Sequence, residues 1–214
     1  MTDKKNIADI LNISKIIPVV ELLDEFDAVP LMEALIDGGV KVVEINIRTQ
    51  AAFDSIEIIK RRLPHLIVGA ASIKTPDMLQ KTIDCGADYG TSPGNTDRLM
   101  DAVVKESFPF LPGVSHASDI MRALEYGHTI QRLCPVVSLG GVKTLKYLNT
   151  SFSELVFSPA GGITDENALE FLLLPNVCSV GGSWIVRSHD TYAKKWSKVI
   201  ERTKFSFDNI AKAS

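Results

Sequence analysis

The chain has 214 residues, of which 45% are hydrophobic and 23% charged, and its formal net charge is −3. This length suits one domain, which we predict over residues 1–214, and the weak negative charge argues against a nucleic-acid or anionic-membrane partner. No apolar run approaches the roughly 20 residues of a membrane span, and the N-terminal segment lacks a signal-peptide core, so we expect a cytoplasmic protein.

Side chains that bind metals or form disulfides are scattered along the chain. We find no paired-cysteine spacing and no His-x-x-x-His pair among Cys85, Cys134, Cys178, His65, His116, His128 and His189. Because the three cysteines are an odd number and lie far apart, we expect them to be small buried apolar side chains rather than a disulfide framework. We therefore predict no metal site and no other cofactor.

Short β-rich apolar runs alternate with helical patterns, which is typical of a parallel sheet with crossover helices. The predicted strands are 16–20, 42–47, 66–70, 89–91, 109–111, 130–133, 155–157 and 177–180. The predicted helices are 27–36, 50–62, 75–86, 96–105, 118–126, 142–148, 166–173 and 191–210. Eight such units after an N-terminal helix predict an α/β fold of the parallel (β/α)8 TIM-barrel type. The alternative, a doubly wound open sheet, would want a Gly-x-Gly-x-x-Gly turn after the first strand, which is absent.

Paired glycines follow the last two predicted strands, at the carboxyl ends where barrels carry their active sites. These pairs are Gly161-Gly162 and Gly181-Gly182. Glycine permits positive φ and close backbone approach to a ligand, and a helix starting after each turn would add free amides. We therefore predict a phosphate site, to which Ser183 adds a hydroxyl donor. The alternative is that the glycines only make tight turns.

Charged residues also interrupt two apolar strands. Glu44 lies within the second predicted strand, and Arg48 follows it by four residues, so alternation places both on one face until the loop begins. A carboxylate and a guanidinium facing one cavity suit proton transfer and carboxylate binding, although a structural salt bridge is the alternative. Arg132, within the sixth strand, likewise requires a partner or a ligand anion.

Further polar or turn residues end the third and fourth predicted strands. Ser72 and Lys74 follow the third strand, and Pro93 follows the fourth. Each can shape the mouth of the site, but none is specific alone.

Seven short motifs occur together between about residues 16 and 184. They are Val43-Glu44 with Arg48-Thr49, Gly69-Ala70-Ala71-Ser72, Ser92-Pro93-Gly94, Leu111-Pro112-Gly113, Gly140-Gly141-Val142-Lys143, Pro159-Ala160-Gly161-Gly162-Ile163 and Gly181-Gly182-Ser183-Trp184. In this order and spacing the set resembles the 2-keto-3-deoxy-6-phosphogluconate (KDPG) and 4-hydroxy-2-oxoglutarate aldolase family.

The resemblance implies a class I aldolase that cleaves a phosphorylated 2-keto-3-deoxy sugar acid to pyruvate and glyceraldehyde 3-phosphate. It also implies a homotrimer that needs no metal. By resemblance, Glu44 is the general acid/base, Arg48 binds the pyruvate carboxylate, and Ser72 replaces a threonine beside that carboxylate. The glycine pairs and Ser183 correspond to the phosphate cradle, and Trp184 is predicted to pack under it.

One motif departs from the family pattern. The family's Schiff-base lysine lies in a sequence resembling Lys-Phe-Phe-Pro-Ala-Glu, and the aligned residues 132–137 read Arg-Leu-Cys-Pro-Val-Val. Arg132 therefore takes the lysine position, and arginine cannot act as a nucleophilic amine because it stays protonated.

Three hypotheses follow from this departure. In the first, the chain is still an aldolase and Lys74 supplies the amine. In the second, Arg132 polarises the keto oxygen and Glu44 moves the proton, which would support slow cleavage, decarboxylation or enolisation. In the third, the chain is a non-catalytic phospho-sugar-acid binding protein. Glu44 favours an enzyme, because a carboxylate contributes nothing to a pure anion site.

Overall fold

The computed structural model describes residues 6–22 and 24–212. Within these residues the strands are Ile16–Val20 (β1), Val42–Asn46 (β2), Ile67–Ala71 (β3), Tyr89–Thr91 (β4), Phe110–Leu111 (β5), Gly113–Val114 (β6), Ile130–Leu133 (β7), Val156–Phe157 (β8) and Val180–Gly182 (β9). The helices are Ile7–Leu11 (α1), Ala28–Asp37 (α2), Gln50–Arg62 (α3), Pro76–Asp84 (α4), Asp97–Glu106 (α5), Ala117–Glu125 (α6), Val142–Ser151 (α7), Ala168–Leu172 (α8), Ser188–Tyr192 (α9) and Trp196–Ala211 (α10).

The strands are parallel and form two groups. Six of them make a curled sheet in the order β5-β4-β3-β2-β1-β9, which is half of a barrel, and the other three pair in the order β6-β7-β8. Helices follow most strands, so the chain has an α/β fold, as the alternating pattern predicts.

Alternation along the strands decides what faces the interior of the curled sheet. On β2, Val43 and Ile45 pack with the helices in the main core. Val42 belongs to a second cluster on the opposite face, together with Tyr89 and with Leu11 of α1. Glu44 lies on the Val42 face because side chains two apart on a strand share a face. The interior of the sheet therefore receives a charged side chain.

Three predicted boundaries are wrong, each for a local reason. The fifth predicted strand continues beyond Pro112 as β6, because proline has no N–H to donate and interrupts the pairing. The eighth predicted strand, 177–180, lies later in the chain as β9, because Gly181 and Gly182 pair with β1. The last predicted helix is two helices, α9 and α10, separated where Lys194 takes a left-handed φ of 49°.

The start of α4 has the predicted capping chemistry. The Thr75 hydroxyl accepts a hydrogen bond from the Met78 backbone N–H at 3.2 Å, and Pro76 is the first residue of α4. Among residues 6–22 and 24–212, no helix is both long and apolar enough to cross a membrane.

Candidate active site

A buried ion pair joins the two groups of strands. Arg132 of β7 donates from Nη1 to Glu44 Oε2 at 2.5 Å and from Nη2 to Glu44 Oε1 at 2.8 Å. Glu44 is 0% exposed and Arg132 is 5% exposed. This is a bidentate pair, which fixes both side chains and is stronger than a single neutral hydrogen bond.

Three more buried side chains complete this network. Tyr89 donates its hydroxyl to Glu44 Oε1 at 2.9 Å, and the hydroxyl of Ser158 accepts from Arg132 Nη2 at 3.3 Å. The hydroxyl oxygens of Ser158 and Ser179 lie 3.0 Å apart. The network therefore runs from β4 through β2 and β7 to the segments beside β8 and β9.

The electrostatics of the pair follow from its burial. Burial disfavours the charged form of Arg132, but the charge and hydrogen bonds of Glu44 outweigh it and raise the pKa of the guanidinium above its ordinary value. Burial and the Glu44 charge raise the pKa of Tyr89 well above its ordinary value. Arg132 is thus a permanent cation, and Tyr89 is a neutral donor.

The Glu44–Arg132 pair can still form further hydrogen bonds. Glu44 Oε2 accepts from Arg132, while Oε1 accepts from both Arg132 and Tyr89. Arg132 Nε is buried and has no partner within the part of the chain that the structure describes. Because a carboxylate oxygen has two lone pairs, Oε2 can take one more proton donor.

The two glycine pairs lie side by side. Ala160 bridges to Gly181, and the Gly181 N–H donates to the Pro159 carbonyl at 2.9 Å. Gly161 and Gly162 have φ of 93° and 85°, so this turn requires glycine. The second pair ends β9, and the exposed Ser183 follows it in a turn.

The predicted helix starts at residues 166 and 191 lie within three residues of the observed ones. Helices α8 and α9 begin at Ala168 and Ser188, several residues after the glycine pairs, and have five residues each. Turns intervene: the Thr164 N–H donates to Asn167 Oδ1 at 2.8 Å after the first pair, and Ser183-Trp184 form a turn after the second. Backbone amides of the turns, rather than helix dipoles, are what this region offers to an anion.

Comparison with known proteins identifies the family to which the chain belongs. The family model for "KDPG and KHG aldolase" matches residues 7–202. The chain belongs to the KDPG and KHG aldolase family. It is 37% identical to a 2-dehydro-3-deoxy-phosphogluconate aldolase of Pseudoalteromonas atlantica, over 92% of this chain and 91% of that protein. It is also 34% identical to the KHG/KDPG aldolase of Escherichia coli, over 92% of each.

Solved structures of the family share the fold. A KDPG aldolase from Legionella pneumophila, with pyruvate captured at low pH as a covalent carbinolamine intermediate, superposes with a TM-score of 0.93 at 34% identity. The match covers 95% of this chain and 99% of that one. A Zymomonas mobilis 2-keto-3-deoxy-6-phosphogluconate aldolase has a TM-score of 0.89 at 32% identity, over 95% of this chain and 97% of that one.

The structure places Arg48 outside the buried pair. Its side chain is 61% exposed, and Nη1 lies 3.2 Å from Glu21 Oε1 at the end of β1. The face that Glu44 shares along β2 does not extend to Arg48, because β2 ends at Asn46 and the chain turns before Arg48. The role of Arg48 as a ligand for the substrate carboxylate therefore stays a prediction.

Ser72 lies closer to the buried network. Its hydroxyl donates to Asn46 Oδ1 at 3.0 Å, and Asn46 lies two residues beyond Glu44 on the same strand. Ser72 has a φ of 76°, a left-handed conformation that costs a non-glycine residue energy and is found mainly at functional sites. Ser72 therefore remains a candidate ligand for the substrate carboxylate.

The structure leaves the other two predicted residues at the surface. Lys74 is exposed and makes no hydrogen bond or ion pair with the residues that the structure describes. Pro93 is also exposed, although its loop packs tightly: a Cβ on Gly113 would lie 2.1 Å from the Ser92 carbonyl oxygen. Neither residue is brought to the Glu44–Arg132 pair.

Sequence reasoning missed Tyr89, Ser158 and Ser179. Tyr89 was assigned only to a strand, yet its ring lies over Gly69, where a Cβ would be 2.3 Å from the ring. A glycine on a neighbouring parallel strand is the one signal that could have indicated an inward tyrosine. The two serines carry no such signal in the sequence.

Proposed function

We propose that this chain is a carbon–carbon lyase that cleaves a 2-keto-3-deoxy-6-phospho sugar acid to pyruvate and glyceraldehyde 3-phosphate without forming a Schiff base. The observation that carries the proposal is the buried Glu44–Arg132 pair at the interior of the curled sheet. Curated relatives named as aldolases for 2-dehydro-3-deoxy-phosphogluconate support the substrate class. The assignment of Arg132 to the lysine position supports non-covalent chemistry.

The proposed reaction uses the free hydrogen-bonding capacity of the pair. Arg48 and Ser72 hold the substrate carboxylate, and the keto oxygen faces the guanidinium of Arg132. Glu44 Oε2 accepts the proton of the hydroxyl group beside the bond that breaks. The deprotonated oxygen becomes the aldehyde carbonyl of glyceraldehyde 3-phosphate as the bond breaks, and the electron pair of that bond forms an enolate, which Arg132 stabilises. The proton held by Glu44 returns to the enolate carbon and yields pyruvate.

Arg48 can serve this role at little energetic cost. Its present partner is Glu21, and both side chains are largely exposed, at 61% and 46%. Exposed ion pairs contribute at most about 1 kcal/mol, so a substrate carboxylate can displace Glu21 readily. The glycine pairs and Ser183 would hold the phosphate.

Cleavage assays of Glu44→Gln test the proposal. Wild-type protein is expected to release pyruvate from KDPG, measured with a lactate dehydrogenase coupled assay, and the variant is expected to be slower by about a hundredfold or more. Glu33→Gln on the exposed face of α2 is the matched control. Equal rates for wild type and Glu44→Gln would contradict the assignment of Glu44.

A binding function without turnover is the second candidate. It is favoured by one observation: the pair already occupies three of the four lone pairs of Glu44. A binding protein would retain KDPG unchanged and would release no pyruvate. A decarboxylase or enolising enzyme would instead release carbon dioxide from oxaloacetate, or exchange the methyl protons of pyruvate with deuterium oxide.

We infer that the two groups of strands close into a (β/α)8 barrel in a single domain over residues 1–214. Only Pro112 separates β5 from β6, and bridges join Phe157 to Val177 and Ala160 to Gly181 between the segments of β8 and β9. These contacts would complete a ring of eight strand positions. Residues 1–5, 23, 213 and 214 lie outside the described residues.

We also propose a cytoplasmic homotrimer, on the resemblance to the family. Size-exclusion chromatography with light scattering is expected to give three times the chain mass of 23.4 kDa. A monomer at micromolar concentration would contradict the trimer and leave the chemistry of the site untouched.

A further inference from the structure

Three side chains tie the two glycine pairs to α10. The indole N–H of Trp184 lies 3.0 Å from Asp165 Oδ1 and 3.2 Å from the Ser206 hydroxyl oxygen. The Ser206 hydroxyl donates to the same Asp165 oxygen. We call Asp165, Trp184 and Ser206 the brace.

Each member of the brace belongs to a different segment. Asp165 lies three residues after Gly162, and Trp184 lies two residues after Gly182. Ser206 is 1% exposed within the 16-residue helix α10, which packs against α2. The brace therefore fixes the distance between the two glycine pairs, and anchors both to a long helix.

The Trp184 ring also supports the second pair by direct contact. A Cβ on Gly182 would lie 2.9 Å from one ring carbon of Trp184, so the ring packs against the backbone of that turn. The predicted packing of Trp184 under the loop is thus observed, and the bond from its N–H to Asp165 adds a link to the first turn. Ring and N–H act on different turns, and a substitution at Asp165 removes the link to the first turn while leaving the ring in place.

We propose that the brace positions the two glycine pairs for a phosphate group and so sets the preference of the site for phosphorylated over unphosphorylated 2-keto acids. Asp165 is a positioning residue rather than a ligand, because a carboxylate repels an anion. Backbone amides must converge within hydrogen-bond distance of one anion, and small displacements of either turn weaken all of these bonds together. The identity of the substrate rests on the proposed function, but phosphate binding does not.

Titration calorimetry with inorganic phosphate and glycerol 3-phosphate tests this proposal on the full chain. Trp184→Phe removes the N–H together with the outer ring edge that contacts Gly182, so we expect binding to weaken about fivefold or more, the effect of at least one lost hydrogen bond. Asp165→Ala is expected to weaken binding at least as much. Asp165→Asn, which keeps the acceptor oxygen, is expected to restore most of the affinity. Trp196→Phe, at the start of α10, is the matched control.

Substrate preference supplies a second readout. In Trp184→Phe the KM for KDPG is expected to rise about fivefold, with the KM for unphosphorylated 4-hydroxy-2-oxoglutarate unchanged. A merely structural defect would raise both KM values and would lower the melting temperature more than Trp196→Phe does.

The outcomes separate this inference from the proposed function. Unchanged phosphate affinity in both Trp184→Phe and Asp165→Ala overturns the brace, as does a wild-type protein that binds neither phosphate ligand at millimolar concentration. Normal phosphate binding that weakens as expected, in a protein that cleaves no 2-keto acid, supports the brace and contradicts the lyase proposal.

Discussion

Arg132 and Glu44 each depend on the other in the interior of the sheet. Both side chains are at least 94% buried, and each supplies the charge that makes burial of the other tolerable. Removing one partner of a buried pair leaves an uncompensated charge, whereas replacing both with apolar residues can cost little. This coupling is the physical reason why an arginine at position 132 requires an acid nearby.

A double-mutant cycle measures this dependence. Arg132→Met is expected to lower the free energy of unfolding by about 3 kcal/mol or more, and adding Glu44→Met is expected to recover much of that loss. Urea denaturation monitored by circular dichroism gives the four values. Additive losses in the double variant would contradict the coupling.

Sequence reasoning at the residue scale reached two of the five residues of the buried network. Glu44 was singled out because it interrupts an apolar strand, and Arg132 for the same reason. Their pairing was not predicted, because 88 residues separate them and spacing carries no information on cross-sheet partners. The surface pair of Arg48 with Glu21 was not predictable, because alternation gives no information on side-chain direction past the end of β2.

At the scale of elements, close contact between neighbouring strands positions Tyr89. Gly69 of β3 pairs with Tyr89 of β4, and a Cβ at Gly69 would lie 2.3 Å from the tyrosine ring. Gly69→Ala is therefore expected to displace the ring, to lower the free energy of unfolding by about 1–3 kcal/mol and to weaken the bond to Glu44. Gly94→Ala, where a Cβ meets nothing within 4 Å, is the matched control. Equal melting temperatures for the two variants would contradict this packing.

At the N-terminus of α6, the contribution of the Asp119 carboxylate to stability depends on pH. The Asp119 carboxylate accepts from the backbone N–H groups of Ser115 at 3.0 Å and His116 at 3.2 Å. Burial by itself would raise the pKa of Asp119, but these bonds and the Ser115 hydroxyl outweigh burial and lower it. A lowered pKa contributes stability above the ordinary value of the carboxyl, and this contribution is lost as pH falls through the folded-state pKa.

Asp119→Asn tests that contribution. We expect the variant to be less stable by about 1 kcal/mol at neutral pH, and the difference from wild type to shrink as the pH is lowered below about 4. Thermal melts between pH 7 and 3 give the comparison, with Asp208→Asn on the exposed face of α10 as control. A difference that grows on acidification would contradict the assignment.

Element boundaries were predictable where local chemistry decides them. Thr75-Pro76 predicts the start of α4, and the structure has the cap. The shift of the last strand to Val180–Gly182 was not predictable, because glycine weakens isolated strands and only pairing with Ile17 and Pro18 of β1 stabilises it there. The same tertiary pairing brings the second glycine pair beside the first.

At the scale of the whole molecule, the buried network and the glycine pairs serve two different parts of the proposed reaction: the network serves bond cleavage, and the glycine pairs serve phosphate binding. The buried network lies between the two groups of strands, and the brace anchors the glycine pairs to α10. The order of strands and helices was predictable from the alternating pattern over the whole chain. The network was not, because it assembles residues from five separate segments.

Trapping with borohydride tests the central claim, that this family member works without a Schiff base. Intact mass is measured after incubation with pyruvate and borohydride, followed by peptide mapping, on wild type and on Arg132→Lys. We predict no adduct on wild-type protein that cleaves KDPG, and an adduct at position 132 in the variant, because lysine restores a nucleophilic amine beside Glu44. A stoichiometric adduct on the wild-type chain, at Lys74 or any other lysine, would contradict the claim.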